Sequence, residues 1–330
     1  GTGMSIIEAS HRAAAYDAVH MDALADFRSL AAIPDDFTVL FVGGGASLQF
    51  AQVPMNLLAE GQTAGYLNTG TWGGKALGDA VKVAPVYEAW SGADGSFMRM
   101  PTTDEIDVRS DARYLHVTTN ETIGGIRLPE LPTADVPLVS DMSSDFLSRG
   151  IDWDVHDLVY GGAQKNLGPA GLAIVVVRRD RLSTHGRSLA SYLDYATHDA
   201  NDSMANTPPM FAIYVMGKVL RWMKAEGGLG EFERRSAERA SLVYGAIDGS
   251  DGWYTSPVDD ASRSHMNIVF RLPDEDLEKR FVAEAADAGM VNLKGHRSVG
   301  GIRASVYNAM PVASVEVLVD FMGSFRAANS

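Results

Sequence analysis

A lysine and an aspartate stand 24 positions apart, each where an apolar run stops, and they are the residues of this chain best suited to chemistry. Leu158 to Tyr160 reads as a buried strand ended by Gly161 and Gly162. Gln164, Lys165 and Asn166 then occupy a turn ahead of Gly168-Pro169-Ala170-Gly171 and a second strand, Leu172 to Val177. One amine is thus held where a sheet stops, among small residues that leave room for a flat ligand. A lysine so placed can act as a point charge against phosphate, or as an amine that condenses with an aldehyde once desolvation and cationic neighbours lower its pKa. The plain alternative is a solvated surface lysine, against which the flanking glycines and apolar strands argue.

The second run, Pro137 to Ser140, ends in the carboxylate of Asp141. An acid and a lysine at neighbouring sheet ends suit pyridoxal phosphate. That cofactor needs an amine for covalent attachment and an acid that keeps its pyridine nitrogen protonated, so that the ring can draw in electrons. Alone the pair is weak, because an Asp at a strand end is often only a helix cap. Other segments add to it. Gly43-Gly44-Gly45-Ala46-Ser47-Leu48-Gln49-Phe50 turns from a strand into a helix, and the free N–H groups there suit a phosphate; simple packing is the other reading. The turn lacks the Lys-Ser/Thr of a nucleotide P-loop, and Leu48 stands where a dinucleotide fingerprint would have its third glycine. Trp72 lies between Gly70 and Gly73-Gly74, which leaves room for a flat group on its indole, although a core role is open too. Thr118 to Gly125 is rich in hydroxyls and amides fit to bind oxygen atoms. His296, Arg297 and Arg303 on a glycine loop and the following strand suit an anion, which arginine grips with two parallel bonds.

The elements that must carry these residues alternate. A helix opened by Ser10-His11-Arg12, with Val19, Ala23, Phe27 and Leu30 on one stripe, closes before Pro34. Strands are expected at Phe37–Val42, Ala64–Leu67 and Tyr114–Val117, and residues 91–112 read as irregular. Helices follow over 210–226, after Asn206-Thr207-Pro208-Pro209, and over 231–247. Beyond them come a strand (265–272), a helix (274–288), the loop Lys294–Gly301, a strand (302–307) and a final helix. This is an α/β chain whose polar residues gather at strand ends, where open α/β sheets bind ligands. We expect a large domain over 1–232 and a smaller α+β domain over 233–330.

Composition narrows the partners. With 28 Lys and Arg against 42 Asp and Glu, the net charge of −14 does not attract nucleic acid or anionic membranes. An anionic substrate therefore needs a local basic island. There is no cysteine, which excludes disulfides, zinc thiolates and cysteine nucleophiles. No metal site is indicated. No apolar run approaches the ~20 residues of a membrane span, and the first residues lack a signal-peptide layout, so a cytoplasmic protein is expected.

Five motifs in order along the chain resemble the phosphoserine aminotransferases, pyridoxal phosphate enzymes of aminotransferase fold type I, class V. They are Glu8-Ala9-Ser10-His11-Arg12, Gly44 to Phe50, Gly161 to Asn166, Asn206-Thr207-Pro208-Pro209 and Gly295 to Ser305. The resemblance implies a large domain with a mostly parallel sheet flanked by helices, plus a smaller α+β C-terminal domain. It implies that Lys165 carries the cofactor and moves a proton between the substrate α-carbon and the cofactor, that Asp141 pairs with the pyridine nitrogen and that Trp72 stacks on the ring. Ala46, Ser47, Thr122 and Gln164 would bind the cofactor, joined by Asn206 and Thr207 from the partner subunit of a homodimer with shared sites. Arg303 would hold the substrate α-carboxylate, and His11, Arg12, His296 and Arg297 the distal phosphate or the glutamate side-chain carboxylate. The implied reaction is transamination between phosphoserine with 2-oxoglutarate and 3-phosphohydroxypyruvate with glutamate, in serine biosynthesis. A phosphorylated four-carbon oxoacid of pyridoxine biosynthesis is a second candidate substrate. Two departures are visible: family members carry a further N-terminal Phe-Asn-x-x-x-Gly-Pro-Ala segment, and some have arginine where Ser47 stands. The alternatives are another fold type I aminotransferase, such as a serine–glyoxylate type, or a catalytically silent cofactor-binding protein.

Overall fold

Near-continuous apolar runs in the inner strands bury both faces of one sheet, and helices cover each face. The computed structural model describes residues 3–330. Helix α1 (Ala14–Leu30) leads into β1 (Phe37–Gly43), α2 (Gly45–Leu57), β2 (Thr63–Asn68), α3 (Thr71–Ala80) and β3 (Val86–Ser91). Next come β4 (Ala112–Thr118), the short hairpin β5 (Asn120–Glu121) and β6 (Ile126–Arg127), then β7 (Leu138–Asp141), β8 (His156–Gly162) and β9 (Leu172–Arg178). The seven-stranded sheet runs β1-β9-β8-β7-β4-β2-β3, with β9 antiparallel to both neighbours and the other pairs parallel. The short helix α4 (Tyr195–Asp199), then α5 (Met210–Ala225) and α6 (Leu229–Asp248), lead to a two-stranded antiparallel sheet of β10 (Asn267–Phe270) and β11 (Ile302–Ser305). That sheet packs with α7 (Glu275–Asp287) and α8 (Val312–Asn329).

The alternation decides which helix covers which face. Phe37, Val39 and Phe41 of β1 join Ile174 and Val176 of β9 in a core with Ala23 and Phe27 of α1 and Ile213, Met216 and Leu220 of α5. Leu40 and Val42 turn the other way, with Val175 and Val177, against Phe50 and Val53 of α2. Each fully buried side chain of this size contributes roughly 1.5–3 kcal/mol of transfer free energy. A separate core binds α6, α7 and α8 to the C-terminal sheet through Val243, Phe270, Phe281, Leu318 and Phe325. Helix α6 spans both: Phe232 lies in the first core, whereas Ala240, Val243 and Ile247 lie in the last.

The structure differs from the sequence reading at two strand and helix ends. β8 does not stop at Tyr160 but takes in Gly161 and Gly162, which pair with Ile174 and Ala173 as its last two residues. The glycine serves packing there, because a Cβ on Gly161 would stand 2.6 Å from the ring of Phe146. Nor does Ser10 open α1. Its Oγ accepts the Arg12 N–H at 3.2 Å within a preceding turn, and the helix begins at Ala14, so His11 and Arg12 are free of helical geometry.

Under the carboxyl edge of the sheet lies a buried aromatic layer. The His116 ring stacks on Tyr66 at 4.6 Å between centroids, and its Nε2 bonds the Tyr160 hydroxyl at 3.0 Å. Burial without a counter-charge pushes the His116 pKa down to about 3. The unfolded chain takes up a proton there near 6.5, while the folded chain does so only near 3. This stability is therefore fully present above pH 6.5 and is lost as pH falls toward 3. We expect His116→Gln to flatten the decline of unfolding free energy across that range, as measured by urea titrations at a series of pH values.

Candidate active site

The parallel strands β4, β7 and β8 deliver their last residues to one edge, and the expected lysine and aspartate meet there. A cavity of about 240 Å³ is lined by Ala46, Ser47, Trp72, Thr122, Asp141, Gln164 and Lys165, seven of the residues singled out from the sequence. Asn120, Thr118, Ser143, Ser144 and Phe50 complete its wall with the glycines at 44, 45 and 171. Its floor is the strand ends, and one side is the start of α2. Gly44, in the left-handed region at φ 97°, makes the turn into that helix. Leu48 closes over Gly44, where a Cβ would stand 2.7 Å from its Cδ2. The first N–H groups of α2 therefore face the cavity without a side-chain cap, an arrangement suited to an anion.

Lys165 extends its amine across the cavity to donate to Thr122 Oγ1 at 2.6 Å, and Nζ lies 5.6 Å from the centroid of the Trp72 ring. Burial lowers the Lys165 pKa from 10.5, against the opposing pull of Asp141, Asp145 and Glu121. Asp141 is 4% exposed, and burial raises its pKa. Two groups of one residue oppose that rise: the Ser143 N–H at 2.9 Å and the Ser143 Oγ at 2.6 Å, both donating to Oδ1. Oδ2 carries no hydrogen bond in the structure and is left for a further donor. Thr118 Oγ1, also on the wall, and Trp72 Nε1 are buried without a partner. A buried acid with a vacant oxygen, an amine of lowered pKa, an indole face and a helix N-terminus together match what a pyridine ring with an aldehyde and a phosphate requires.

The remaining expected residues lie off this wall. Arg303 on β11 is close: its Nη1 reaches the Thr122 carbonyl at 3.4 Å, and its Nε is buried with no partner. The His296 ring bonds Ser298 Oγ at 2.7 Å on the loop before β11, and Arg297 is exposed. His11 Nδ1 meets Thr207 Oγ1 at 3.3 Å, and Asn206 and Thr207 are exposed. These five, with Arg12, do not line the cavity within the subunit.

Buried polar joints tie the cavity to the C-terminal sheet. Asn120 donates to Ser144 Oγ at 2.7 Å and to Asn267 Oδ1 of β10 at 2.9 Å. Asn166, next to Lys165, donates to the Phe146 carbonyl at 3.0 Å and accepts from the Asn308 N–H at 3.0 Å. Sequence reasoning passed over Asn166 and Ser143. The Asp-x-Ser spacing at 141–143 was a usable signal, because such a serine folds back on the acid two residues earlier.

Comparison with known proteins places this geometry in context. Residues 2–318 match the family "Aminotransferase class-V". The phosphoserine aminotransferase of Niallia circulans is 50% identical over 329 residues, covering 99% of this chain and 91% of that protein. The solved phosphoserine aminotransferase of Bacillus circulans subsp. alkalophilus superimposes with a TM-score of 0.96 at 49% identity, over 100% of this chain and 91% of the other. A pyridoxal phosphate-bound phosphoserine aminotransferase from Trichomonas vaginalis superimposes with a TM-score of 0.91 at 36% identity, covering 98% and 92%.

The lowered basicity of Lys165 is open to direct measurement. After reductive methylation of the ligand-free protein with ¹³C-formaldehyde, its resonance, identified by its loss in Lys165→Arg, is expected to titrate below those of the exposed lysines.

Proposed function

The chain belongs to the class-V aminotransferase family, and on that premise we propose that it is a phosphoserine aminotransferase that uses pyridoxal phosphate. The observation that carries this reading is the single cavity in which Lys165, Asp141, Trp72, Thr122, Gln164 and the start of α2 converge, in a chain half identical to phosphoserine aminotransferases over nearly its whole length. Bound there, the cofactor supplies an electron sink for the substrate α-carbon.

The residues of the chain divide the remaining work. Lys165 holds the cofactor and then takes the proton from the α-carbon at Nζ, a task suited to an amine whose pKa is already lowered by burial. Asp141, shielded from water and steadied by Ser143, keeps a proton on the ring nitrogen through its vacant Oδ2. The N–H groups at Ala46 and Ser47 and the side chain of Gln164 take the phosphate end, and Trp72 covers one face of the ring. Arg303 grips the α-carboxylate with its unpaired guanidinium edge. His11, Arg12, His296 and Arg297 receive the distal anion, which is the local basic island that a chain of charge −14 requires.

The exposed pair Asn206 and Thr207, held beside His11 and away from the subunit's own cavity, fits a twofold homodimer in which each chain completes the other's phosphate site. We further propose a cytoplasmic protein, a large domain ending near residue 232 inside α6, and activity on the phosphorylated four-carbon oxoacid.

Three measurements test the reading. Lys165→Ala is expected to abolish turnover while binding the cofactor without covalent attachment, seen as loss of the protein-linked absorption band; full activity would mean another lysine is used. Asp141→Asn is expected to lower kcat by at least about a hundredfold, since a neutral amide cannot hold the ring charge. For the shared sites, Lys165→Ala and a bulky Thr207→Trp chain are each expected to be inactive alone. Mixed dimers are expected to regain activity, because one site inherits both lesions and its twin neither; proven heterodimers without activity would refute sharing.

A further inference from the structure

Glu121 is 1% exposed, lies outside every role assigned above, and spends its carboxylate on another segment. Its Oε1 accepts from the Gly73 N–H at 2.7 Å and from Thr69 Oγ1 at 3.2 Å. Both oxygens lie 3.1 Å from the Trp72 N–H. These donors are the first free N–H groups of α3, whose own N-cap, Gly70, offers no side chain. Glu121 thus caps α3 from across the fold. All of its partners donate, so the arrangement requires the carboxylate as an acceptor on both oxygens, against burial that disfavours the charge.

The glycines flanking Trp72 acquire a different meaning from the one their spacing suggested. A Cβ on Gly70 would stand 2.9 Å from Glu121 Cδ, and one on Gly73 would stand 2.7 Å from the Leu67 carbonyl. They make room for the carboxylate and for close approach of the helix to β2. The next residue matters equally. Thr122 receives the Lys165 amine at 2.6 Å, so two adjacent side chains reach in different directions, one to the indole's helix and one to the reactive amine. Strand β5, which carries Glu121 and ends just before Thr122, is itself fixed, through pairing of Glu121 with Ile126 and through Asn120 bonded to Ser144 and Asn267.

We propose that Glu121 is a positioning residue: by capping α3 from the segment that also presents Thr122, it sets the indole plane of Trp72 relative to the Lys165 amine. The inference rests on the reading of Trp72 as the face that covers the cofactor ring. Its consequence is that Glu121 governs kcat without touching substrate.

The test uses the full-length protein with Glu121→Gln and Glu121→Ala, each also in a Trp72→Phe background so that Trp72 emission is obtained by difference. Glu121→Gln keeps the shape but turns an N–H donor toward the α3 donors, and it carries the test if Glu121→Ala does not fold. Expected are a shift of Trp72 emission in the ligand-free protein, a weaker circular dichroism band of bound pyridoxal phosphate, and kcat reduced at least about tenfold with little change in KM for glutamate. The proposal is overturned if both spectral signals and kcat stay at wild-type values. It is equally overturned if activity falls only in step with the unfolded fraction while the folded fraction keeps the wild-type signals. The emission and dichroism are read with no substrate present, so failure of the phosphoserine assay in the wild-type protein would count against the proposed function alone.

Discussion

A half-buried amine, with one hydroxyl as its hydrogen-bond partner, is the constraint from which the rest of the structure follows. Among the described residues Lys165 donates to Thr122, and the charge of Asp141 is the strongest that opposes the lowering of its pKa by burial. Burying both groups is costly unless each is paired and hydrogen-bonded. The fold meets that cost with Ser143, which gives Asp141 two donors from one residue. The pairing is deliberately incomplete on the cavity side. Thr118 Oγ1 on the wall and Arg303 Nε at its border are buried without partners, and unsatisfied groups of this kind are where a ligand gains the most.

The position of that amine depends on one antiparallel strand in an otherwise parallel sheet. β8 brings the chain up to the carboxyl edge and β9 takes it straight back, so Lys165 rides a tight connection with no crossover helix above it. The site stays open for that reason. The same edge is joined to the C-terminal segment by buried amides as well as by apolar contacts of Val269: Asn120 to Asn267, and Asn166 to the Asn308 N–H. Such directional joints fix distance and angle, and Arg303 needs both to approach the cavity from a strand that belongs to another core.

Legibility in the sequence followed the range of the interaction. Lys165 and Asp141 were readable because each ends an apolar run, and a run's end is local information. The flanking strands and the helices from 210 onward were found to within a few residues for the same reason. The reversed direction of β9 was not readable, since an apolar run looks alike whichever way it pairs. Glu121 was lost inside a loop described only as rich in polar groups, because its partners are the backbone N–H groups of Trp72 and Gly73, and no side-chain pattern marks an acceptor for a distant helix. The start of α1 was misread because a Ser-His-Arg run imitates a helix opening, while the Ser10 hydroxyl is spent on its own turn. His11, Arg12, Asn206 and Thr207 came forward through resemblance alone. Within the subunit His11 meets Thr207, and none of the four lines the cavity.

Charge explains why those rim residues are needed. At −14 the protein repels a doubly anionic substrate, but that field is screened beyond roughly 8 Å at physiological ionic strength. Capture is therefore decided by groups that the ligand touches. Arg303, with its Nε already stripped of water and unpaired, has part of its desolvation cost met by folding and returns the larger gain on binding. Arg297 is exposed, so in the proposed role it would contribute less to affinity and more to discrimination between substrates that do and do not carry a second anion. On the proposed reading, this division would give tight, orientation-fixing recognition to the α-carboxylate, which every amino-acid substrate shares. Choice among substrates falls to the weaker, wetter rim, where a phosphate and a carboxylate can each be accepted in turn, as a reaction with two alternating substrates demands.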